Sequence, residues 1–227
     1  MRTPAGELLE CRDASHSSDQ ATRFLLAALP ARVTGSACEA GCGTGVLAMT
    51  LARLGTSRVW ATDVDTKALD LLQRALLENA IDNVVVRKGS LLEPIPSDER
   101  LDLVVGLLPQ KPAPSKFDLR YAGGSDGTDL LIGLIEQAAV RLARGGKLLF
   151  YHHTLAAPAR VEAALTKGFA WRVRAQRLRY CAKPAYAALA PGMLARLEQL
   201  VAEGTAQAWF SETWIVWRSR ILEATRL

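Results

Sequence analysis

The chain has 227 residues, 49% hydrophobic and 22% charged, a balance that excludes a disordered polymer and can bury an ordinary core without metal or disulfide help. Its longest apolar runs, such as 130–134 and 147–151, fall far short of the roughly 20 residues that cross a membrane, so no membrane partner is expected. The net charge of +5 permits an acidic protein or a nucleic acid as partner without requiring either.

Residues 1–19 show no apolar stretch between a basic start and a cleavage site, so no secretory signal is read there and a cytoplasmic location is expected. Cys11, Cys38, Cys42 and Cys181 lack the paired spacing of a zinc site and read as reduced thiols; no metal is expected. Ser17-Ser18-Asp19 supplies an N-cap for a helix over 17–29, with Ala21, Phe24, Leu25, Ala28 and Leu29 at helical spacing. A strand over 36–39 runs into Gly41-Cys42-Gly43-Thr44-Gly45 and then a helix over 46–54. The next strand, 58–62, stops at Asp63 before a helix over 66–79. Strands follow at 84–87 and 101–106, the latter apolar enough to be covered on both faces.

A long helix is predicted over 128–142, closed by Arg144-Gly145-Gly146, and a fifth strand over 147–152. After a helix at 157–167, alternating patterns at 171–179 and 214–222 predict an antiparallel pair. Between them, 182–211 is too long for a plain connection and reads as a helical insert or lid. The alternation predicts a single α/β domain over 1–227, a Rossmann-like doubly wound mixed sheet of seven strands with a helical insert before the last strand.

In such sheets ligands sit at the carboxyl ends of the strands, where a glycine turn lets the backbone approach them. Glu39 to Gly45 occupies such an end, and Asp63 closes the second strand where its carboxylate could accept from both ribose hydroxyls of a nucleoside. The spacing is GxGxG preceded by an acid, which resembles motif I of the class I S-adenosylmethionine-dependent methyltransferases. That resemblance implies S-adenosyl-L-methionine as cofactor, with Glu39 near its methionine end and Gly41, Cys42, Gly43 and Gly45 lying against it. Asp63 and Val64 would sit at the ribose, and Ser90 and Leu91 after the third strand at the adenine.

Within the family, Phe117 followed by Tyr121-Ala122-Gly123-Gly124-Ser125-Asp126-Gly127 is similar to the GGxDG segment of the release-factor glutamine methyltransferase group. That group carries an Asn-Pro-Pro-Tyr loop whose asparagine orients the acceptor nitrogen. Here the loop reads Gly106-Leu107-Leu108-Pro109-Gln110, and Leu107 offers no side-chain acceptor. The loop is also similar to Gly-Cys-Ile-Pro-Gln of plant methionine S-methyltransferase, which implies a small-molecule or amino-acid acceptor that needs orientation more than activation.

On this reading Leu107 borders the cofactor, Pro109 and Gln110 face the acceptor, and His152, with His153 beside it, is a candidate general base. Two alternatives stand beside it. One is a protein or RNA N-methyltransferase, with nucleic acid possible but not favoured. The other is an enzyme that consumes S-adenosylmethionine and releases methylthioadenosine. A non-catalytic binding protein is also compatible with Leu107. Tyr180, Tyr186, Trp209 and Phe210 either pack the insert or line a pocket, and Arg172, Arg174, Arg177 and Arg179 read as a solvated strand edge.

Overall fold

In a computed structural model that describes residues 20–113 and 122–227, strand and helix alternate through most of the chain. Helix α1 (Gln20–Leu26) leads to β1 (Ser36–Ala40), α2 (Val46–Arg53), β2 (Arg58–Asp63), α3 (Thr66–Glu78), β3 (Val84–Lys88) and β4 (Leu101–Gly106). Then come α4 (Asp129–Arg141), β5 (Leu142–His153), α5 (Pro158–Thr166), β6 (Phe169–Ala182), α6 (Lys183–Ala187), α7 (Met193–Ala202), β7 (Trp209–Phe210) and β8 (Trp214–Arg226). Residues 17–19 of the predicted first helix, together with Cys11, Phe117 and Tyr121, lie outside the described residues.

The sheet order is β3-β2-β1-β4-β5-β8-β6, with β7 added to β8. Strands β1 to β5 pair in parallel, and β8 runs antiparallel between β5 and β6. This is the expected doubly wound mixed sheet with one short extra strand, since a two-residue strand leaves no periodicity to read. Apolar side chains of β1 and β4 feed cores on both faces. Ala37, Leu103 and Val105 pack beneath α1 to α3, while Cys38, Ala40 and Val104 pack beneath α4 and α5. Burial on both sides is what makes these two strands near-continuous apolar runs.

One prediction is corrected at the start of β5. The helix over 128–142 ends at Arg141, and Arg144-Gly145-Gly146 lies inside the strand instead of capping the helix. The β4–β5 register jumps there from Leu101↔Leu142 to Leu103↔Lys147, with Gly145 at φ 79°. The glycines meet a demand for left-handed backbone, but in a bulge and not at a helix end.

Strands β6 and β8 are longer than predicted and outrun the sheet. Pairing of β8 with β5 stops at His153↔Ser219, whereas its ladder with β6 continues to Ala182↔Trp214. The projecting hairpin stands beyond the carboxyl end of β5. Helices α6 and α7 pack on one face of it, where Tyr186, Met193, Leu197 and Leu200 close on Ile215 as a small third core. The insert predicted over 182–211 is therefore two helices and β7.

Candidate active site

The glycine turn bends the chain from β1 into α2, and each glycine answers a different need. A Cβ on Gly41 would stand 2.6 Å from a Leu108 methyl, and one on Gly45 would stand 2.2 Å from Leu72. At Gly43, with φ 50°, nothing lies within 4 Å of that position. Gly41 and Gly45 let the turn seat on its neighbours, and Gly43 turns bare backbone toward open space. That is the cradle a nucleoside-bearing cofactor requires, and the residues fit it.

Two carboxylates hold the turn. Glu39 is buried, and its Oε2 accepts the Ala48 N–H at 2.6 Å, satisfying an orphan donor in the first turn of α2. Burial pushes its carboxyl well above the ordinary range, against the lowering effect of that hydrogen bond. Asp63 accepts from Gly43 N–H at 2.8 Å through Oδ2 and from Asp65 N–H at 2.9 Å through Oδ1. Asp65 in turn caps α3 by accepting from Lys67 N–H. Glu39 thus braces the helix from within, while Asp63 stands half-buried at the turn itself.

The remaining residues proposed for the cofactor surround this turn. Cys42 is buried and its N–H bonds the Thr62 carbonyl, which ties the turn to β2. Gly89 N–H bonds the Asp63 carbonyl, and Thr62 Oγ1 donates to the Leu91 carbonyl at 2.6 Å, so the loop carrying Ser90 and Leu91 is pinned against the end of β2. Val64 is 65% exposed beside Asp63. Glu39 to Gly45, Asp63, Val64, Ser90 and Leu91 therefore gather at the carboxyl ends of β1, β2 and β3.

Beside them lies a cavity of about 570 Å³, walled by Leu107, Leu108, Pro109, Gln110, Lys111, Tyr151, His153, Cys181, Tyr186 and Trp217, among others. Its walls come from α1, the loop after β4, the end of β5, the insert and the paired ends of β6 and β8. Gln110 is buried with both ends of its amide engaged. Its Nε2 donates to the carbonyls of Tyr151 at 2.8 Å and Leu108 at 3.3 Å, and its Oε1 accepts from His153 N–H at 3.0 Å. Gln110 therefore staples the loop to β5, and its role toward an acceptor is positional. The GGxDG turn buttresses this staple, because a Cβ on Gly123 or Gly127 would collide with Gln110 backbone. Asp126 in that turn accepts from Thr128 N–H and Oγ1 and from Arg160.

His152 is a correction. Strand alternation puts it on the opposite face of β5 from the cavity, fully buried. Its Nδ1 accepts from Arg220, so its Nε2 donates to the Ala156 carbonyl at 2.7 Å. Burial, then the Arg220 charge, holds its pKa well below the ordinary value. His153 lines the cavity instead, and burial lowers its pKa to about 4. Sequence reasoning weighed these neighbours together because a pattern of two cannot reveal which one faces in.

Three cavity residues carry a buried polar atom with no hydrogen-bond partner among the described residues: His153 Nδ1, Tyr186 hydroxyl and Trp217 Nε1. Trp217 was missed, since it lies in a strand whose inward face the sequence left open.

A family model described as the methyltransferase small domain matches residues 14–170. The ribosomal protein L11 methyltransferase of Lactobacillus johnsonii is 31% identical over 115 residues, 51% of this chain and 30% of that protein. The ribosomal RNA small subunit methyltransferase C of Actinobacillus pleuropneumoniae is 32% identical over 133 residues, 57% of this chain and 36% of that protein. The chain thus spans about a third of the length of these relatives. The T. thermophilus 16S rRNA N2 G1207 methyltransferase, solved with AdoMet and guanosine, shares the fold at TM-score 0.56 and 18% identity, over 94% of this chain and 45% of that one. The relatives are named for ribosomal protein and ribosomal RNA, which overturns the expectation of a small-molecule or amino-acid acceptor, and neither is named for release factors. Over more than half its length the chain matches the methyltransferase small domain; it belongs to that family of class I methyltransferases, and S-adenosylmethionine is its cofactor.

Proposed function

We propose that the chain transfers a methyl group from S-adenosylmethionine to ribosomal RNA in the cytoplasm. The observation that carries the acceptor class is the charge around the cavity. Lys111 stands in the wall, and Arg179 lies at the rim, paired across the strands with Trp217 and bonded to Gln20 beside Ala21. No carboxylate lines the cavity among the described residues. Such a rim attracts a phosphate backbone and repels a free ammonium group. The relative with the longer alignment of the two is named for ribosomal RNA.

Asp63 and the open face of Gly43 would hold the nucleoside, with Ser90 and Leu91 flanking its base. When bound, the cofactor supplies a methyl group on a positively charged sulfur. The chain's part is then to bring a nucleophile into line and exclude water. Leu107 accepts no hydrogen bond, so the acceptor atom best suited is a nucleobase ring nitrogen, whose in-plane lone pair needs aim more than activation. His153, Tyr186 and Trp217 would provide that aim by bonding the edge of the base.

A ribosomal-protein acceptor is the second reading, favoured by the L11 methyltransferase relative. Ribosomes from cells lacking this chain, incubated with methyl-tritiated cofactor and fractionated, separate the two. Label in RNA together with S-adenosylhomocysteine supports the proposal. Label confined to protein supports the second reading. Methylthioadenosine as the product, or no turnover with cofactor bound, overturns both.

A further inference from the structure

The β6–β8 hairpin has a second face, turned away from the insert and the cavity. Cross-strand partners share a face, so Leu178↔Arg218, Tyr180↔Val216, Ala182↔Trp214 and Trp209↔Val216 place Leu178, Tyr180, Trp209, Trp214 and Arg218 together on it. The contacts agree: Tyr180 and Trp214 meet edge to face at 5.4 Å, and the Arg218 guanidinium lies 4.6 Å over the Trp209 ring.

Apolar side chains on such a face ordinarily pack against something. Here Tyr180 is 71%, Leu178 64%, Trp209 48% and Trp214 45% exposed. Among the described residues these are all of the strongly exposed aromatic side chains, and one three-stranded platform holds them. The charged side chain that the register places among these rings is Arg218, for which no ion pair is found among the described residues, whereas Arg172, Arg174, Arg177 and Arg179 alternate onto the opposite face, where Glu223 holds the first two. Sequence reading left the aromatics of β6, β7 and β8 unconnected, because only strand pairing brings them onto one face.

We propose that this outer face of the β6–β8–β7 hairpin is a docking platform for single-stranded RNA, on which unpaired bases flanking the methylated nucleotide stack. Rings on one sheet face stand about 5 Å apart across strands and about 7 Å along them, a spacing at which splayed bases can each take a ring. Aromatic faces accept any base, and the Arg218 guanidinium beside them meets a phosphate. A purely apolar protein partner would leave Arg218 without counter-charge. The proposal rests on the RNA reading above, but its test does not depend on methyl transfer.

The probe is a fluorescein-labelled, mixed-sequence single-stranded oligoribonucleotide of about 12 nucleotides, read by anisotropy with the full chain. Tyr180→Ala, Trp209→Ala and Trp214→Ala should each weaken binding about fivefold or more, and the triple variant more than any single one. Arg218→Ala should lower the salt dependence, and the same sequence as a duplex should bind more weakly. Leu77→Ala, on the exposed side of α3, should leave binding unchanged, and cofactor affinity should hold in every variant, which verifies the fold. The proposal is overturned if the triple variant binds the single strand like wild type, or if duplex binds equally well. It is also overturned if the wild-type chain sediments as a dimer that the triple variant dissociates. RNA binding that needs the platform, without methyl transfer to RNA, would sink the acceptor reading alone. RNA methylation with an unchanged KM in the triple variant would sink the platform alone.

Discussion

The two halves of the site are finished to different degrees. On the cofactor side, the glycine turn and its two carboxylates have their bonds met internally: Glu39 by Ala48, Asp63 by Gly43 and Asp65, and Cys42 N–H by Thr62. On the acceptor side, five separate segments meet, and three buried polar atoms find no partner among the described residues. A buried group without a partner costs about 1–3 kcal/mol, which a ligand that completes it returns. The cofactor turn is preorganised by its own chain, whereas the acceptor cavity is stable enough to exist yet chemically incomplete.

That contrast can be broken at either half, and the largest effect is expected on the cofactor side. Asp63→Ala removes two charge-assisted hydrogen bonds that shape the turn, and cofactor affinity should fall by roughly 100-fold by calorimetry. An unchanged affinity would mean the turn does not hold the nucleoside. Gln110→Ala leaves the Tyr151 carbonyl and the His153 N–H without their side-chain partner, so stability should drop by about 2 kcal/mol in denaturant unfolding. A smaller loss would show that the loop holds to β5 without its staple.

Tyr186→Phe tests the incomplete half. Removing an unpartnered hydroxyl should leave the melting temperature unchanged or raised, while the KM for the acceptor rises about fivefold and cofactor affinity stays constant. A destabilised protein with unchanged KM would make Tyr186 a packing residue only. The subtlest effect is one of pH. Burial depresses the pKa of His153 to about 4, so the unfolded chain takes up a proton near pH 6.5 that the folded chain refuses until about pH 4. Stability from this group is complete above pH 6.5 and declines as pH falls from 6.5 to 4. His153→Gln should flatten that part of a melting-temperature profile, and an unaltered slope would show that His153 takes up its proton alike in both states.

The cofactor half was legible because its information is local. The glycine turn, its flanking acid and Asp63 fall within one βαβ unit, and their spacing alone fixes where they meet. The acceptor half was not, because strand facing decides it. His152 and His153 differ by one residue and point to opposite sides of the sheet, and Trp217 faces in while Trp214 faces out. The Gly145-Gly146 signal was read for its backbone demand and assigned to the wrong element, since a bulge and a helix end ask the same of glycine.

Gln110 ties the loop after β4 to the end of β5 from both ends of one amide, so those two walls travel as a single rigid block with the sheet. Substrate preference cannot be retuned there without loosening the strands themselves. The remaining wall, made by α6 and the hairpin, has its own small core and can be exchanged piecemeal. Divergence toward new acceptors along this lineage would therefore be written in residues 183–211, and grafting that stretch between related chains is the direct route to altering what they modify.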